Sequence, residues 1–296
     1  MVALNRNEET PDERRIVSAF GVAMPRLLYG SAWKKERTAE LVGLALRSGF
    51  LGVDTACQPR HYFEAGVGEA LSGVFGKGAA ARSEIYVQTK FTPFAGQDPN
   101  NVPYDPRASL TQQVLQSFEA SLRNLRIAYV DGLVLHSPYP DDKDTIEVWR
   151  AMESLYDQGL VRQLGVSNCY ELTRLKALCQ TARIRPATIQ NRFHAKSGYD
   201  REIRAFCDEG GIIYQSFWTL TANAEILKSP EMADLAAKYG RSPAQMFFRY
   251  LTQSRMVCLI GASSQAHMAQ DVSIFEFRLD AAACASLDAL LLRSAS

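Results

Sequence analysis

The chain has 296 residues, 47% of them apolar and 22% charged, which suits a globular protein with one large core. Its 33 basic and 32 acidic side chains nearly cancel, so charge gives no reason to expect nucleic acid or a membrane surface as partner. No apolar run approaches the roughly 20 residues that span a bilayer.

Residues 1–14 mix acids with bases and lack an apolar centre, so they read as a flexible lead-in and not as a targeting peptide. Cys57, Cys169, Cys179, Cys207, Cys258 and Cys284 show no metal-binding spacing, and the four histidines are equally dispersed. No metal site is expected, and reduced thiols in a cytoplasmic protein are.

In chain order, 15–30 reads as a short hairpin leading into a strand, RIVSAF then Gly21 then MPRLLYG. Leu41, Leu44 and Ala45 give helical spacing over 38–47, stopped by Gly49. A strand over 50–56 delivers Asp54, Gln58-Pro59-Arg60 turns the chain, and His61-Tyr62 precede a helix running to about Phe75. Residues 84–90, EIYVQTK, are strand-like. Four prolines and two adjacent asparagines leave 91–106 irregular, and irregular stretches of this length are usually functional or disordered.

Leu110, Val114, Phe118 and Leu122 mark an amphipathic helix, and 129–136 is a buried strand closed by His136. Asp144 is expected to cap the helix carrying Val148, Trp149, Met152 and Leu155, with Gly159 ending it. A strand over 162–168 feeds a helix through Leu172 and Leu175, and strands over 186–190 and 211–217 flank a helix near 203–206. Ser229-Pro230 and Ser242-Pro243 each set a capping serine before a proline at the first helical position. A last strand over 256–260 precedes a helix near 265–273, and Leu287, Leu290 and Leu291 mark a terminal helix.

Eight strands alternate with helices at about the 30-residue period of a strand–helix unit. No composition break marks a linker. The expected fold is α/β, a (β/α)8 TIM barrel with a short N-terminal β-hairpin, in one domain over 1–296. A doubly wound sheet fits less well, because Gly66-Val67-Gly68 lacks the third glycine of a dinucleotide turn.

In such a barrel the active site lies at the C-terminal ends of the strands. Asp54, Lys90 and His136 close three consecutive strands there, and Tyr62 follows just beyond the first. Each has a structural explanation taken singly: Asp54 on backbone N–H groups, Tyr62 packed, Lys90 reaching solvent, His136 on a carbonyl. Together at one mouth they point to proton chemistry.

Val53-Asp54-Thr55-Ala56, Val67-Gly68-Glu69-Ala70-Leu71, Gln88-Thr89-Lys90, Asp131-Gly132-Leu133-Val134-Leu135-His136, Leu164-Gly165-Val166-Ser167-Asn168 and Gly261-Ala262-Ser263-Ser264 occur in this order. With these motifs, spread from about residue 25 to residue 275, the chain resembles the aldo-keto reductase family. The resemblance implies an NAD(P)H-dependent carbonyl reductase on a (β/α)8 barrel, with no metal and with Asp54, Tyr62, Lys90 and His136 as its tetrad. Carbonyl reduction sends hydride to carbon and a proton to oxygen. A phenol, with a pKa of about 10, holds that proton at neutral pH, and an adjacent ammonium eases its release. Asp54 would hold Lys90 charged, and His136 would orient the carbonyl oxygen.

The family sets its tyrosine five residues after its aspartate, where this chain has Pro59. The segment CQPRHY reads as an insertion of about two residues, which leaves His61 or Tyr62 in the tyrosine's place. The chemistry asks for a phenol, so Tyr62 is the expected acid and His61 its pocket-lining neighbour.

By the same resemblance Ser167, Asn168 and Gln190 would bond a nicotinamide carboxamide, and Phe217, in place of the usual tyrosine, would stack on the ring. Leu220, Thr221 and Asn223 would lie along the pyrophosphate. Many relatives read the 2′-phosphate with a lysine and an arginine after the eighth strand, where this chain has Gly261 and His267. Ser263, Gln265 and His267 would serve instead, as in the family's Gly-Thr-Ser-Ser branch. NADPH is the expected cofactor and NADH the alternative. Trp33, Phe91, Tyr139 and Phe193 are expected to wall a pocket for small apolar or aromatic carbonyl substrates. The rival readings are a nucleotide-binding regulatory subunit of the same fold, with a protein partner the sequence does not identify, and a barrel enzyme using Lys90 for Schiff-base chemistry.

Overall fold

The computed structural model describes residues 12–76 and 78–295. Most of the lead-in expected over 1–14 thus lies outside the described residues. Glu13 is tied down by ion pairs to Arg249 and Arg278, at 2.6 and 2.8 Å. The expected hairpin is present as antiparallel β1 (Arg15–Val17) and β2 (Ala23–Pro25).

Eight parallel strands then close a barrel: β3 (Leu27–Gly30), β4 (Gly52–Asp54), β5 (Tyr86–Phe91), β6 (Gly132–Leu135), β7 (Leu164–Ser167), β8 (Thr188–Arg192), β9 (Ile213–Phe217) and β10 (Val257–Ile260), which pairs back onto β3. The chain is a (β/α)8 barrel, as its alternation implied. Around it run α1 (Thr38–Arg47), α2 (Glu64–Gly76), α3 (Leu110–Leu125), α4 (Asp142–Asp157), α5 (Leu172–Thr181) and α6 (Arg201–Gly210). Then come α7 (Ala224–Leu227), α8 (Pro230–Tyr239), α9 (Pro243–Gln253), α10 (Gln265–Val272) and α11 (Ala281–Ser294). Among the described residues no helix is long and apolar enough to cross a membrane.

The two-residue period of a strand sorts side chains into two cores. Val53, Val87, Leu133, Val166 and Ile189 face outward and join the main core under the helices. Leu28, Tyr86, Ile213 and Val257 face inward at the lower end of the barrel, where Ile16 and Met24 of the hairpin plug it.

Ser229 and Ser242 cap α8 and α9 by accepting the N–H of Met232 and Gln245, as their Ser-Pro pairs predict. Asp144 does not cap α4. Asp141 does, accepting the Lys143 N–H at 2.8 Å, while Asp144 sits within the first turn, where its charge favours the helix start. The strand expected over 50–56 is narrower too, since only β4 pairs on both sides.

Gly68 sets the approach of α2 to α3: a Cβ there would lie 2.0 Å from the Asn124 carbonyl oxygen. The irregular 91–106 stretch holds one turn of 3-10 helix, Phe94–Gly96. It is pinned to the barrel mouth where Gln97 Nε2 donates to the Cys57 carbonyl, Gln58 Nε2 to that of Gly96, and Tyr104 Oη to that of Thr92.

Candidate active site

Asp54 ends β4, and Lys90 lies one residue before the end of β5, both facing into the barrel and each 1% exposed. Lys90 Nζ donates to Asp54 Oδ2 at 2.5 Å and to the Thr55 carbonyl at 2.8 Å. Oδ1 of the same carboxylate accepts the Nε2 groups of Gln88 and Gln190, at 2.8 and 3.0 Å. Above this pair Lys90 Nζ lies 5.1 Å from the centre of the Tyr62 ring, and the His136 ring meets Tyr62 edge-on at 6.0 Å. Thr92 Oγ1 engages His136 Nδ1 at 2.7 Å, which leaves Nε2 as the ring nitrogen able to meet a ligand.

Burial dominates the ionisation of this group. It pushes the Tyr62 phenol above its ordinary value, with the Asp54 charge adding and the Lys90 cation opposing. For Lys90 burial pulls downward, but the Asp54 carboxylate and Tyr62 carry the ammonium above its ordinary value. Burial, then the Lys90 and His61 charges, hold His136 well below its ordinary value. Near neutral pH the mouth therefore presents a protonated phenol, a cationic lysine and a neutral imidazole.

His61 sits differently from its neighbour. Its ring lies 4.0 Å from that of Trp33, and its Nδ1 meets Gln58 Oε1 at 3.0 Å. Trp33 itself is 58% exposed, on a backbone with φ of 63°, so both form the outer rim.

The residues assigned to a cofactor fall into three groups. Ser167, Asn168 and Phe217 lie at the strand ends around the mouth, while Gln190, midway along β8, is buried in the layer beneath Asp54. Ser167 Oγ donates to the Gln190 carbonyl at 2.7 Å, and Asn168, with φ of 53°, donates through Nδ2 to the His136 carbonyl at 2.9 Å. Phe217 ends β9 opposite Arg192 and is partly exposed. Leu220 packs against the main core, Thr221 is exposed, and Asn223 is buried with Nδ2 on the Phe193 and Thr219 carbonyls. Gly261, Ser263, Gln265 and His267 lie exposed between the end of β10 and the first turn of α10.

Two of the expected pocket walls are not at an opening. Phe91 follows Lys90, so it points to the opposite face of β5 and packs on Tyr104 within the main core. Phe193 is fully buried against Tyr199, Tyr214 and Phe247. Tyr139 is partly buried beyond β6, with a hydroxyl that has no hydrogen-bond partner among the described residues.

Sequence reasoning missed three features. Thr92, which fixes His136, looks like any loop threonine. Lys34 reaches across from the loop after β3 to the Gly261 carbonyl at 2.5 Å and Ser263 Oγ at 3.2 Å. Arg192 lies over Trp218 with its carbon 4.1 Å from the ring centre. A cavity of about 600 Å³ is lined by Arg15, Phe20, Tyr86, Asp131, Tyr156 and Arg162, at the opposite end of the barrel from these groups. The strand ends locate the chemistry better than that cavity does, because the ionisable cluster is there.

A model of the Aldo/keto reductase family matches residues 20–292. The glyoxal reductase of Bacillus subtilis is 29% identical over 274 residues, spanning 91% of this chain and 90% of that protein. Human aldo-keto reductase family 1 member A1 is 28% identical over 300 residues, spanning 91% and 87%. A crystal structure of an aldo/keto reductase from Brucella melitensis superposes with a TM-score of 0.79 at 26% identity, over 93% of this chain and 98% of that one.

Proposed function

The chain belongs to the aldo/keto reductase family, an enzyme family of carbonyl reduction, and from that premise we propose that it reduces small aldehydes and ketones with NADPH, Tyr62 supplying the proton. The observation that carries this reading is the stack of Asp54, Lys90 and Tyr62, with His136 edge-on to the phenol. NADPH, when bound, supplies hydride to the carbonyl carbon.

The protein's own groups do the rest. His136 Nε2 and the Tyr62 hydroxyl meet the carbonyl oxygen and fix its direction. As negative charge grows on that oxygen, Tyr62 gives up its proton, and the phenolate left behind is stabilised by the Lys90 ammonium. Asp54 keeps that ammonium charged and does not itself react.

The residues present fit a nicotinamide nucleotide. Phe217 offers an aromatic face at the end of β9, and Asn168 an amide just past the end of β7. Gln190 spends both Nε2 protons on Asp54 and Gln215, so only its Oε1 remains to accept from a carboxamide. Asn223 Oδ1 is buried with no partner among the described residues, an acceptor that suits a ribose hydroxyl better than a phosphate. At the adenosine end Lys34, held on Gly261 and Ser263, restores a cation where the family's usual lysine and arginine are missing, which favours NADPH over NADH. The open rim of Trp33 and His61, and a relative named glyoxal reductase, support small carbonyl substrates.

The test follows NADPH absorbance over a panel of aldehydes and ketones that includes glyoxal. Tyr62→Phe is expected to lower turnover by about 10²–10⁴-fold with nucleotide affinity kept, and His61→Phe to change substrate KM. Turnover that survives Tyr62→Phe but not His61→Phe would overturn the acid assignment. Tight nucleotide binding with no turnover of any carbonyl would favour a regulatory role instead.

A further inference from the structure

We propose that Gln88 and Gln215 are positioning residues for the reaction, forming with Gln190 a buried amide cage that fixes the Asp54 carboxylate under Lys90. The proposal rests on the carbonyl-reductase reading of the same site.

Barrel interiors of this class are usually filled by layers of Val, Ile and Leu. Here the layer under the candidate tetrad is Gln88 from β5, Gln190 from β8 and Gln215 from β9, each no more than 2% exposed. Buried amides are costly unless every hydrogen finds an acceptor. For these three glutamines every one does. Gln88 Nε2 donates to Asp54 Oδ1 at 2.8 Å and to Gln215 Oε1 at 2.9 Å. Gln190 Nε2 donates to the same two oxygens, at 3.0 and 2.8 Å. Gln215 Nε2 returns a bond to Gln88 Oε1 at 3.0 Å and reaches Met24 Sδ at 3.1 Å.

The chain of donors continues downward. Gln163 Nε2 donates to Tyr86 Oη at 2.8 Å, and that hydroxyl donates to Gln88 Oε1 at 3.1 Å. Room for this is left by Gly132, opposite Gln88 on β6, where a Cβ would lie 2.6 Å from Tyr86 Oη and 3.0 Å from Gln88 Oε1.

The direction of these bonds matters. Amide N–H groups of Gln88 and Gln190 converge on Oδ1 of Asp54, so that oxygen is saturated and the carboxylate plane is set. Oδ2 is then aimed at Lys90, with no other donor among the described residues. Lys90 spends two protons, on Oδ2 and on the Thr55 carbonyl, and its third is free for Tyr62. The cage thus acts on the proton donor through two links, and neither Gln88 nor Gln215 touches substrate.

Gln88→Leu tests this. The single-turnover rate is expected to fall about tenfold or more, with NADPH affinity by fluorescence quenching unchanged. The alkaline limb of the rate profile should move, because a less well-held Asp54 changes the Lys90 charge that favours the Tyr62 phenolate. In an Asp54→Asn background the same substitution should cost under about twofold, since the charge it serves is gone. Gln215→Leu should move the limb in the same direction, and serves if Gln88→Leu does not fold. An unmoved limb, or an equal loss in both backgrounds, would overturn the proposal. ¹⁵N-lysine NMR of Lys90 needs no substrate: its ammonium should lose its proton at lower pH in Gln88→Leu than in wild type, and an unchanged midpoint would also overturn it. Absence of carbonyl turnover in the wild type would instead sink the functional reading.

Discussion

Lys90→Met removes the charge that the buried Asp54 carboxylate faces and tests how the site is held. In the wild type Asp54 Oδ2 has Lys90 Nζ at 2.5 Å, and Oδ1 has the two amides at 2.8 and 3.0 Å. Stripping one partner from a buried ion pair costs about 3–5 kcal/mol, because a charge is left in a poorly solvating interior. The cage keeps two charge-assisted bonds on Oδ1, so the expected loss lies near the lower end, about 3 kcal/mol. Methionine matches the lysine stem in bulk, so packing adds little. Urea unfolding followed by tryptophan fluorescence measures the loss as a lower midpoint at constant slope. The double variant Asp54→Asn/Lys90→Met buries no charge and should return to within about 1–2 kcal/mol of wild type. A single variant costing less than about 1 kcal/mol, or a double variant no better than the single, would refute the buried-charge account.

Gly68→Ala should destabilise by about 1–3 kcal/mol, since its Cβ would meet the Asn124 carbonyl oxygen at 2.0 Å, whereas Gly73→Ala on the same helix has open space and should stabilise by about 0.5–1 kcal/mol. Thermal melts of the two variants check the contrast, and equal effects would contradict it. Burial raises the Asp271 carboxyl from 3.8 to about 7. The folded state therefore binds this proton more tightly than the unfolded one, and the contribution present at pH 4 is lost as pH rises through 7. That difference of about 3 pH units corresponds to roughly 4 kcal/mol at most, and Asp271→Asn should flatten the pH dependence of unfolding over this window. Lys34→Met should weaken NADPH about tenfold and leave NADH unchanged in a fluorescence titration; equal effects on both would remove Lys34 from the 2′-phosphate.

The barrel was legible because its strands and helices carry different periods, and turn residues separate them. Asp54, Lys90 and His136 were legible for a related reason, since each is a polar residue closing an apolar run. The choice between His61 and Tyr62 was not, because adjacent residues after a proline turn can face either way. In the structure Gln58 and Trp33 hold His61 at the rim, while Tyr62 lies beside Lys90. Phe91 could have been excluded from the sequence: it follows Lys90, and successive strand residues face opposite sides. Asp141 and Asp144 both precede the apolar face of α4, and only the backbone turn decides between them.

The glutamine cage was hidden for a deeper reason. Gln88, Gln190 and Gln215 each stand on a separate strand, so no local sequence pattern links them. Only closure of the barrel, which brings Gln88 onto the same layer as residues more than a hundred positions further along, assembles them. A buried ion pair seldom adds net stability over aliphatic side chains of equal volume. One that also commits three buried amides, and leaves Gly132 bare to fit them, is a poor way merely to hold a barrel together. Its persistence in the interior is better accounted for by what lies above it. The arrangement keeps an ammonium charged, dry and aimed beneath a phenol, at the one end of the barrel where the strand termini open to a ligand.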